Sequence, residues 1–236
     1  MKDVLISGKT SFKIEVPYKL IETGEKTGQP KPLILYLHGF EQNISFLEKK
    51  AAPLTDLEAY HLFVQGPYPV YDTSRKKKVS KWGRAWYLYD GGQGQFIKSM
   101  EISSEFIQEI IDDLNHVINI SRFCVVGYSM GAYLAGYFAF SRWKYVNDLV
   151  AIGGRIKIEA FEGRRDKASH LNILALHGKD DSSVFPEPQK EGIDKLKKEG
   201  FKAEFKLIDA GHHLDDVFIS ETEKWLIEQG YKLIGR

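Results

Sequence analysis

Short runs of apolar residues alternate with helical stretches along the whole chain. Residues 33–37 form a continuous apolar run, which is typical of a strand buried on both faces of a parallel sheet. Residues 12–16 alternate apolar and polar side chains and predict an antiparallel edge strand. The other predicted strands are residues 61–64, 123–126, 149–152, 173–176 and 203–208. Strands that alternate with helices predict an α/β fold, with a mostly parallel central sheet and helices on both faces.

The stretches between these strands show helical periodicity. Residues 132–140 are apolar on nearly every side and predict a buried helix, whereas residues 189–199 and 216–229 predict surface helices. A further amphipathic helix is predicted from apolar residues at spacings of three and four, namely Ile102, Phe106, Ile110, Leu114 and Val117.

Residues 65–100 interrupt this pattern. The segment has no clear helical period, and it contains several aromatic side chains and the basic run 75–78, which we interpret as a solvated loop. So long an irregular segment within a compact domain is usually functional or mobile. We expect it at the carboxyl ends of the strands, where open α/β sheets bind ligands. Because it is the only sizeable insertion in the pattern, no separate lid domain is predicted.

Composition limits the class of protein. The chain has 236 residues, 43% of them hydrophobic, and fits a single domain spanning residues 1–236. A net charge of +1 gives no reason to expect nucleic acid or stable membrane association. The first residues hold too short an apolar stretch for a signal peptide, and no intrachain disulfide can form because Cys124 is the only cysteine. We therefore expect a cytoplasmic protein, and the sequence leaves open whether it forms a homodimer.

The motif G-x-S-x-G occurs at residues 127–131, directly between a predicted buried strand and a predicted buried helix. Acyl transfer by a serine needs an exposed hydroxyl at the head of a helix, on a sharp turn that glycines on both sides can accommodate. The helix amino terminus also offers unpaired N–H groups to a developing oxyanion. Ser129 is therefore the predicted nucleophile.

A serine hydroxyl needs a neighbouring base, which a carboxylate holds in the right tautomer. Behind an elbow of this kind the chain order is serine, then the acid, then histidine. His212 and His213 follow the strand at residues 203–208, and we favour His212 because it comes directly after a glycine. The loop after residues 173–176 supplies Asp180 and Asp181, and either carboxylate can orient the imidazole.

An oxyanion hole requires a second N–H besides that of Met130. The turn after the strand at residues 33–37 is the natural source, and we expect the N–H of Phe40 to serve. His38 precedes the nucleophile in the chain, and we expect it to brace this turn by hydrogen bonding.

Together these residues resemble the phospholipase/carboxylesterase family of α/β-hydrolases, which includes acyl-protein thioesterases and small bacterial esterases. The matching segments are residues 37–40, 66–67, 84–87, 127–131, 177–184 and 211–212. In that family the acid lies four positions after the histidine of a His-Gly pair, which implies Asp181. Residues 86–90 and the basic insertion 71–81 depart from the family pattern.

The resemblance implies a serine carboxylesterase that hydrolyses short-to-medium acyl esters of small molecules through a triad of Ser129, His212 and Asp181. We expect no cofactor and no metal. Candidate walls of the substrate pocket are Phe40, Trp82, Trp86 and Tyr87.

Other functions remain as alternatives. The same site could serve an acyl thioesterase or a lysophospholipase, and a non-catalytic ligand-binding homologue is a further alternative. A metal hydrolase would use the carboxylates and histidines at positions 180–181, 212–213 and 215–216, but no metal-ligand spacing is present. A cysteine nucleophile is disfavoured because Cys124 lies within a predicted strand.

Overall fold

The fold is built on a seven-stranded sheet in a computed structural model that describes residues 6–8, 10, 13–26 and 28–235. The strands are β1 (Tyr18–Glu22), β2 (Lys31–Leu37), β3 (Tyr60–Val64), β4 (Tyr68–Pro69), β5 (Arg84–Ala85), β6 (Ile120–Tyr128), β7 (Asp148–Ile152), β8 (Asn172–Gly178) and β9 (Lys202–Ile208). The sheet order is β1-β3-β2-β6-β7-β8-β9, and β4 pairs separately with β5. Strand β1 is antiparallel to β3, whereas the other pairings of the large sheet are parallel.

Helices cover both faces of this sheet. They are α1 (Ile44–Lys50), α2 (Gln93–Leu114), α3 (Met130–Ser141), α4 (Pro186–Lys198) and α5 (Asp216–Glu228). Side chains of α2, α3 and α4 pack in one apolar cluster, and those of α1 and α5 pack in the other. The predicted mostly parallel sheet with helices on both faces is confirmed. Within the described residues, no helix combines the length and the apolar character that a bilayer-spanning segment needs.

The apolar run in β2 follows from its central position in the sheet. Leu33, Leu35 and Leu37 belong to one apolar cluster, and Ile34 and Tyr36 belong to the other. Successive side chains of a strand point to opposite faces. Because helices cover both faces here, every position of the run is buried.

The antiparallel edge strand lies later in the chain than the alternation predicts. Phe12 falls outside the described residues, and residues 13–16 form no strand. The edge position is occupied by Tyr18–Glu22, which pairs with β3. The prediction for residues 12–16 is therefore wrong in position, because the alternation marks an extended segment without showing which residues meet a partner strand.

Helix α2 differs from its predicted form in two ways. It begins at Gln93, so the segment predicted to be irregular ends in two helical turns. Its buried face is also rotated: Ser103 and Ile107 are fully buried, whereas Ile102 is 47% exposed. Val117, predicted to lie on this helix, follows its end and is 78% exposed. The buried hydroxyl of Ser103 donates to the carbonyl oxygen of Trp86, a polar contact that hydrophobic periodicity does not register.

Candidate active site

Ser129 occupies a strained turn between β6 and α3. Its φ and ψ angles are 52° and −116°, a left-handed conformation that non-glycine residues rarely adopt. The N–H of Ser129 donates to the carbonyl oxygen of Ile152 on the neighbouring strand at 2.8 Å. The turn is thus held by the sheet, and it presents the hydroxyl at the amino terminus of α3.

The glycines of the elbow are required by close backbone approach. A Cβ on Gly127 would lie 2.3 Å from the carbonyl oxygen of Gly131, and a Cβ on Gly131 would lie 2.2 Å from that of Leu37. Neither position has space for a side chain. The elbow is therefore packed directly against the carboxyl end of β2.

His212 lies on the loop after β9 and reaches the nucleophile. Its Nε2 is 2.9 Å from Ser129 Oγ, which donates to it when the imidazole is neutral and protonated on Nδ1. The phenol of Tyr128, inside the elbow motif, donates to the carbonyl oxygen of His212 at 2.6 Å and anchors the loop. His213, the alternative base, is exposed.

Asp181 completes the constellation from the loop after β8. Its Oδ2 accepts a hydrogen bond from His212 Nδ1 at 2.7 Å, and its Oδ1 accepts two more, at 2.9 Å each, from the N–H groups of Ser183 and Val184. Asp181 is 3% exposed, whereas Asp180 is exposed. Burial acts to raise the pKa of Asp181, but these hydrogen bonds outweigh it and hold the pKa below its usual value. The carboxylate is therefore ionised at neutral pH.

A second buried histidine supports the Asp181 loop. His177 Nε2 donates to the carbonyl oxygen of Val184 at 2.8 Å and lies 3.4 Å from Asp181 Oδ2. Its side chain is fully buried, and this burial lowers the pKa of the imidazole. A neutral His177 thus steadies the loop that carries the acid.

The predicted oxyanion donors lie on two segments that pack together. Met130 is the first residue of α3, so its N–H has no acceptor within the helix. Phe40 lies in the turn after β2, whose carboxyl end touches Gly131. Two bonds hold that turn: Gly39 N–H donates to Gln42 Oε1 at 2.9 Å, and Glu41 N–H donates to the Arg84 carbonyl oxygen at 3.0 Å.

His38 braces the same turn. Its Nδ1 donates to the carbonyl oxygen of Gly39 at 2.7 Å, and its Nε2 accepts a hydrogen bond from Gly66 N–H at 3.0 Å. Burial lowers the pKa of His38 to about 4. Because both ring nitrogens are hydrogen-bonded to backbone groups, the side chain holds the turn in place, as we expected from the sequence.

The four aromatic residues predicted to form a substrate pocket separate into distinct environments. Trp86 is fully buried and donates from Nε1 to the carbonyl oxygen of His38 at 2.7 Å. It thus supports the turn after β2, and its predicted place in the wall of a substrate pocket stays a prediction. Tyr87 is 8% exposed and packs edge-on against Phe96, whereas Phe40 is 54% exposed.

Trp82 lies in the basic loop. Its indole N–H donates to the carbonyl oxygen of Lys77 at 3.1 Å, and its ring packs edge-on against Tyr71 at 4.9 Å between centroids. The ring contact joins the two ends of the loop, and the hydrogen bond ties its middle to Trp82. They give Trp82 a role in ordering the loop.

Two residues that the sequence analysis did not select lie on segments that pack against Ser129, the predicted nucleophile. Tyr133 follows Ser129 by one turn of α3, a spacing that the elbow motif would have revealed. Arg155 follows the glycine pair after β7, and no local signal relates it to an elbow 26 residues earlier.

The residues considered for a metal site do not form one. His213, Asp215 and Asp216 are exposed, and Asp181 is engaged with His212. In the part of the chain that the structure describes, no three His, Cys, Asp or Glu side chains are grouped so that they could hold a metal ion.

Several solved structures share this fold. Esterase PE8 superposes with a TM-score of 0.74 at 19% identity, covering 91% of this chain and 99% of that one. A carboxylesterase from Mesorhizobium loti gives a TM-score of 0.68 at 18% identity, with coverages of 90% and 94%. Acyl-protein thioesterase 2 from Zea mays gives 0.65 at 22% identity, with coverages of 90% and 98%. The α/β-hydrolase fold is thereby confirmed.

Sequence comparison identifies the family. No curated protein sequence gives a significant match. The sequence profile of the phospholipase/carboxylesterase family, however, matches residues 19–227, which include the elbow and both loops that carry Asp181 and His212. The chain therefore belongs to the phospholipase/carboxylesterase family of α/β-hydrolases.

Proposed function

We propose that this protein is a serine carboxylesterase that hydrolyses short-to-medium acyl esters through an acyl-enzyme. The observation that carries the proposal is the continuous hydrogen-bonded series from Ser129 Oγ to His212 Nε2 at 2.9 Å and from His212 Nδ1 to Asp181 Oδ2 at 2.7 Å. This is the arrangement that a nucleophile, a base and an orienting acid require.

In the first half-reaction, His212 takes the proton of Ser129 as the oxygen attacks the ester carbonyl. The ionised Asp181 stabilises the imidazolium that forms. The N–H groups of Phe40 and Met130 hold the tetrahedral oxyanion, and each such donor contributes about 3 kcal/mol in comparable hydrolases. His212 then protonates the leaving alcohol.

In the second half-reaction, His212 activates a water molecule that attacks the acyl-enzyme. The same N–H groups stabilise the second oxyanion. When this intermediate collapses, the bond between the acyl carbon and Ser129 Oγ breaks, the acid is released, and His212 returns the proton to Ser129 Oγ. The rigid support of the oxyanion turn by His38 and Trp86 favours this chemistry, because preorganised donors need no rearrangement at the transition state.

The proposal is tested by measuring the hydrolysis of 4-nitrophenyl esters from acetate to palmitate. The wild type is compared with Ser129→Ala and with a matched control, Ser141→Ala, at the far end of α3. We expect Ser129→Ala to lower kcat by at least about 1000-fold and Ser141→Ala to retain the wild-type rate. The chain-length profile of the wild type reports the size of the acyl pocket.

Turnover that survives in Ser129→Ala would exclude Ser129 as the nucleophile. If neither protein hydrolyses these esters, acyl thioesters become the next substrates, because the same site can attack both. If the wild type hydrolyses neither esters nor thioesters, the result would favour a ligand-binding protein.

A further inference from the structure

The chain after β7 runs along the triad before it leaves the site. A Cβ placed on Gly153 would lie 3.8 Å from both Asp181 Oδ2 and His212 Cε1. A Cβ placed on Gly154 would lie 2.6 Å from the carbonyl oxygen of Ser129. Arg155 is therefore the first residue of this loop that carries a side chain, and it directly follows the glycine that packs against Ser129.

The guanidinium of Arg155 is only partly neutralised by the protein. Its Nη2 lies 3.0 Å from Glu159 Oε1, and Lys157 Nζ lies 2.7 Å from the same oxygen. Burial acts to raise the pKa of Glu159, but these two cations outweigh it and hold the pKa low. One ionised carboxylate is thus shared between two cations, and Arg155 does not have it to itself.

One donor of Arg155 has no acceptor. Its Nε is shielded from solvent and lacks a hydrogen-bond partner among the residues that the structure describes. A shielded donor without a partner costs about 1–3 kcal/mol, and more for a charged group. Native proteins rarely retain such a group unless a ligand or water satisfies it.

Tyr133, which follows Ser129 by one turn of α3, belongs to a cluster of aromatic rings. Tyr133 lies 6.2 Å from Phe96 between ring centroids, and Phe96 also contacts Tyr87 and Tyr89, at 4.9 and 5.1 Å. Burial raises the pKa of Tyr133, and the positive charge of Arg155 opposes that rise. The phenol of Tyr133 is thus a neutral donor within the field of Arg155.

The basic insertion adds positive charge at the same end of the sheet. It holds five cationic side chains, Arg75, Lys76, Lys77, Lys78 and Lys81. The insertion lies against the turn after β2, since its residues Tyr71, Asp72 and Lys77 line one cavity together with Glu41. Charges around a cleft raise the local concentration of ligands of opposite sign.

We propose that Arg155, on the loop that packs against Ser129, forms an anion subsite, and that the preferred esters carry a second, anionic group, either a carboxylate or a phosphate. A guanidinium binds both groups through paired charge-assisted hydrogen bonds. The inference rests on the proposed esterase function and adds the charge of its substrate.

Two matched pairs of esters test this inference. The first compares 4-nitrophenyl hydrogen glutarate, which has a free carboxylate on the acyl group, with neutral 4-nitrophenyl valerate. The second compares 1-butyryl-glycerol 3-phosphate with 1-monobutyrin. The readout is the ratio of kcat/KM for the anionic ester to that for its neutral partner. Preference in the first pair identifies a carboxylate on the acyl side, and preference in the second identifies a phosphate on the alcohol side.

Three variants separate substrate binding from a structural role. Arg155→Gln should lower the ratio about tenfold or more, mainly through KM for the anionic ester. Glu159→Gln removes the carboxylate that competes for Arg155 and should raise the ratio. Arg164→Gln is the control, because Arg164 is exposed and packs over the Phe161 ring at 5.0 Å. It should leave the ratio at the wild-type value.

The inference is overturned if the wild type prefers the neutral ester in both pairs, or if Arg155→Gln and Arg164→Gln change the ratio equally. A fall of the ratio in Glu159→Gln would also contradict it, because an ion pair that only stabilises the loop predicts the same change from either partner.

Failure of the esterase function gives a different result. If the wild type hydrolyses none of the four esters, the proposed function fails, and the subsite is tested by thermal unfolding with glutarate and with inorganic phosphate. A rise in Tm that Arg155→Gln abolishes supports the anion subsite. The same Tm response in both proteins excludes it.

Discussion

At the scale of single residues, two fully buried histidines are neutral because of where they lie. His38 bonds Gly39 and Gly66 in the oxyanion turn. His61 on β3 is 2.9 Å from the Tyr36 phenol through Nδ1, and 3.1 Å from the Leu57 carbonyl oxygen through Nε2. Burial lowers the pKa of each imidazole from 6.5 to about 4. Protonation would place an unsolvated charge in the core.

These histidines predict a loss of stability on mild acidification. Between pH 6.5 and about pH 4 the unfolded chain binds protons that the folded chain does not, so the free energy of unfolding falls as the pH falls through this window. Each histidine contributes on the order of 3 kcal/mol at most. Urea unfolding at several pH values should show a shallower dependence for His61→Gln than for the wild type. Identical slopes would contradict the assignment.

At the scale of elements, the site depends on the direct contact between the elbow and the end of β2. The contact aligns Met130 at the start of α3 with the turn that carries Phe40. Gly131 makes it possible, because any Cβ there would lie 2.2 Å from the Leu37 carbonyl oxygen. Backbone on both sides prevents a simple side-chain adjustment.

Gly131→Ala is therefore expected to separate the two segments. It should destabilise the protein by about 2 kcal/mol or more, as overpacked sites do, and it should lower kcat of any ester hydrolysis through the misplaced oxyanion donors. The control is Gly94→Ala in α2, where a Cβ meets nothing within 4 Å. There alanine should stabilise the helix by roughly 0.5–1 kcal/mol. Chemical unfolding measures the stability of both variants, and ester hydrolysis measures their kcat. Equal free energies of unfolding for Gly131→Ala and Gly94→Ala would refute the packing argument.

At the scale of the whole molecule, a buried ion pair joins the sheet to the carboxyl-terminal segment. Asp148 on β7 is fully buried, and its Oδ1 accepts a hydrogen bond from Arg122 Nη2 on β6 at 2.6 Å. Tyr231 OH donates to Asp148 Oδ2 at 2.9 Å, and Asn172 of β8 donates to Oδ1 at the same distance. Four segments distant in the chain are thus held at the end of the sheet opposite to Ser129.

Removal of one partner should destabilise the entire fold. Arg122→Met leaves a buried carboxylate without its cation, which typically costs about 3–5 kcal/mol and lowers Tm by roughly 10 °C in a protein of this size. Lys190→Met is the control, because it breaks an ion pair whose side chains are 58% and 42% exposed and should cost less than about 1 kcal/mol. Calorimetry measures both. A similar small change in the two variants would show that the pair contributes little.

The sequence alone predicted the elements that have strong local patterns. The run in β2, the buried helix α3 and the elbow between β6 and α3 were predictable because continuous apolar runs and the glycine-flanked serine are local consequences of burial and of a tight turn. Ser129 followed from the motif and His212 from its position after a glycine at a strand end, whereas the choice of Asp181 over Asp180 needed the family pattern in addition. The structure brings these three side chains into hydrogen-bond contact.

Other features were decided by tertiary contacts. The rotation of α2 depends on the hydroxyl of Ser103 meeting Trp86, and the burial of Trp86 depends on the oxyanion turn that lies above it. Arg155 comes beside Ser129 only because β7 pairs with β6. Hydrophobic periodicity reports which side chains avoid water, but it carries no information about which distant segments meet. Local pattern therefore determined the elements and the predicted nucleophile, and long-range packing determined the side chains that surround Ser129.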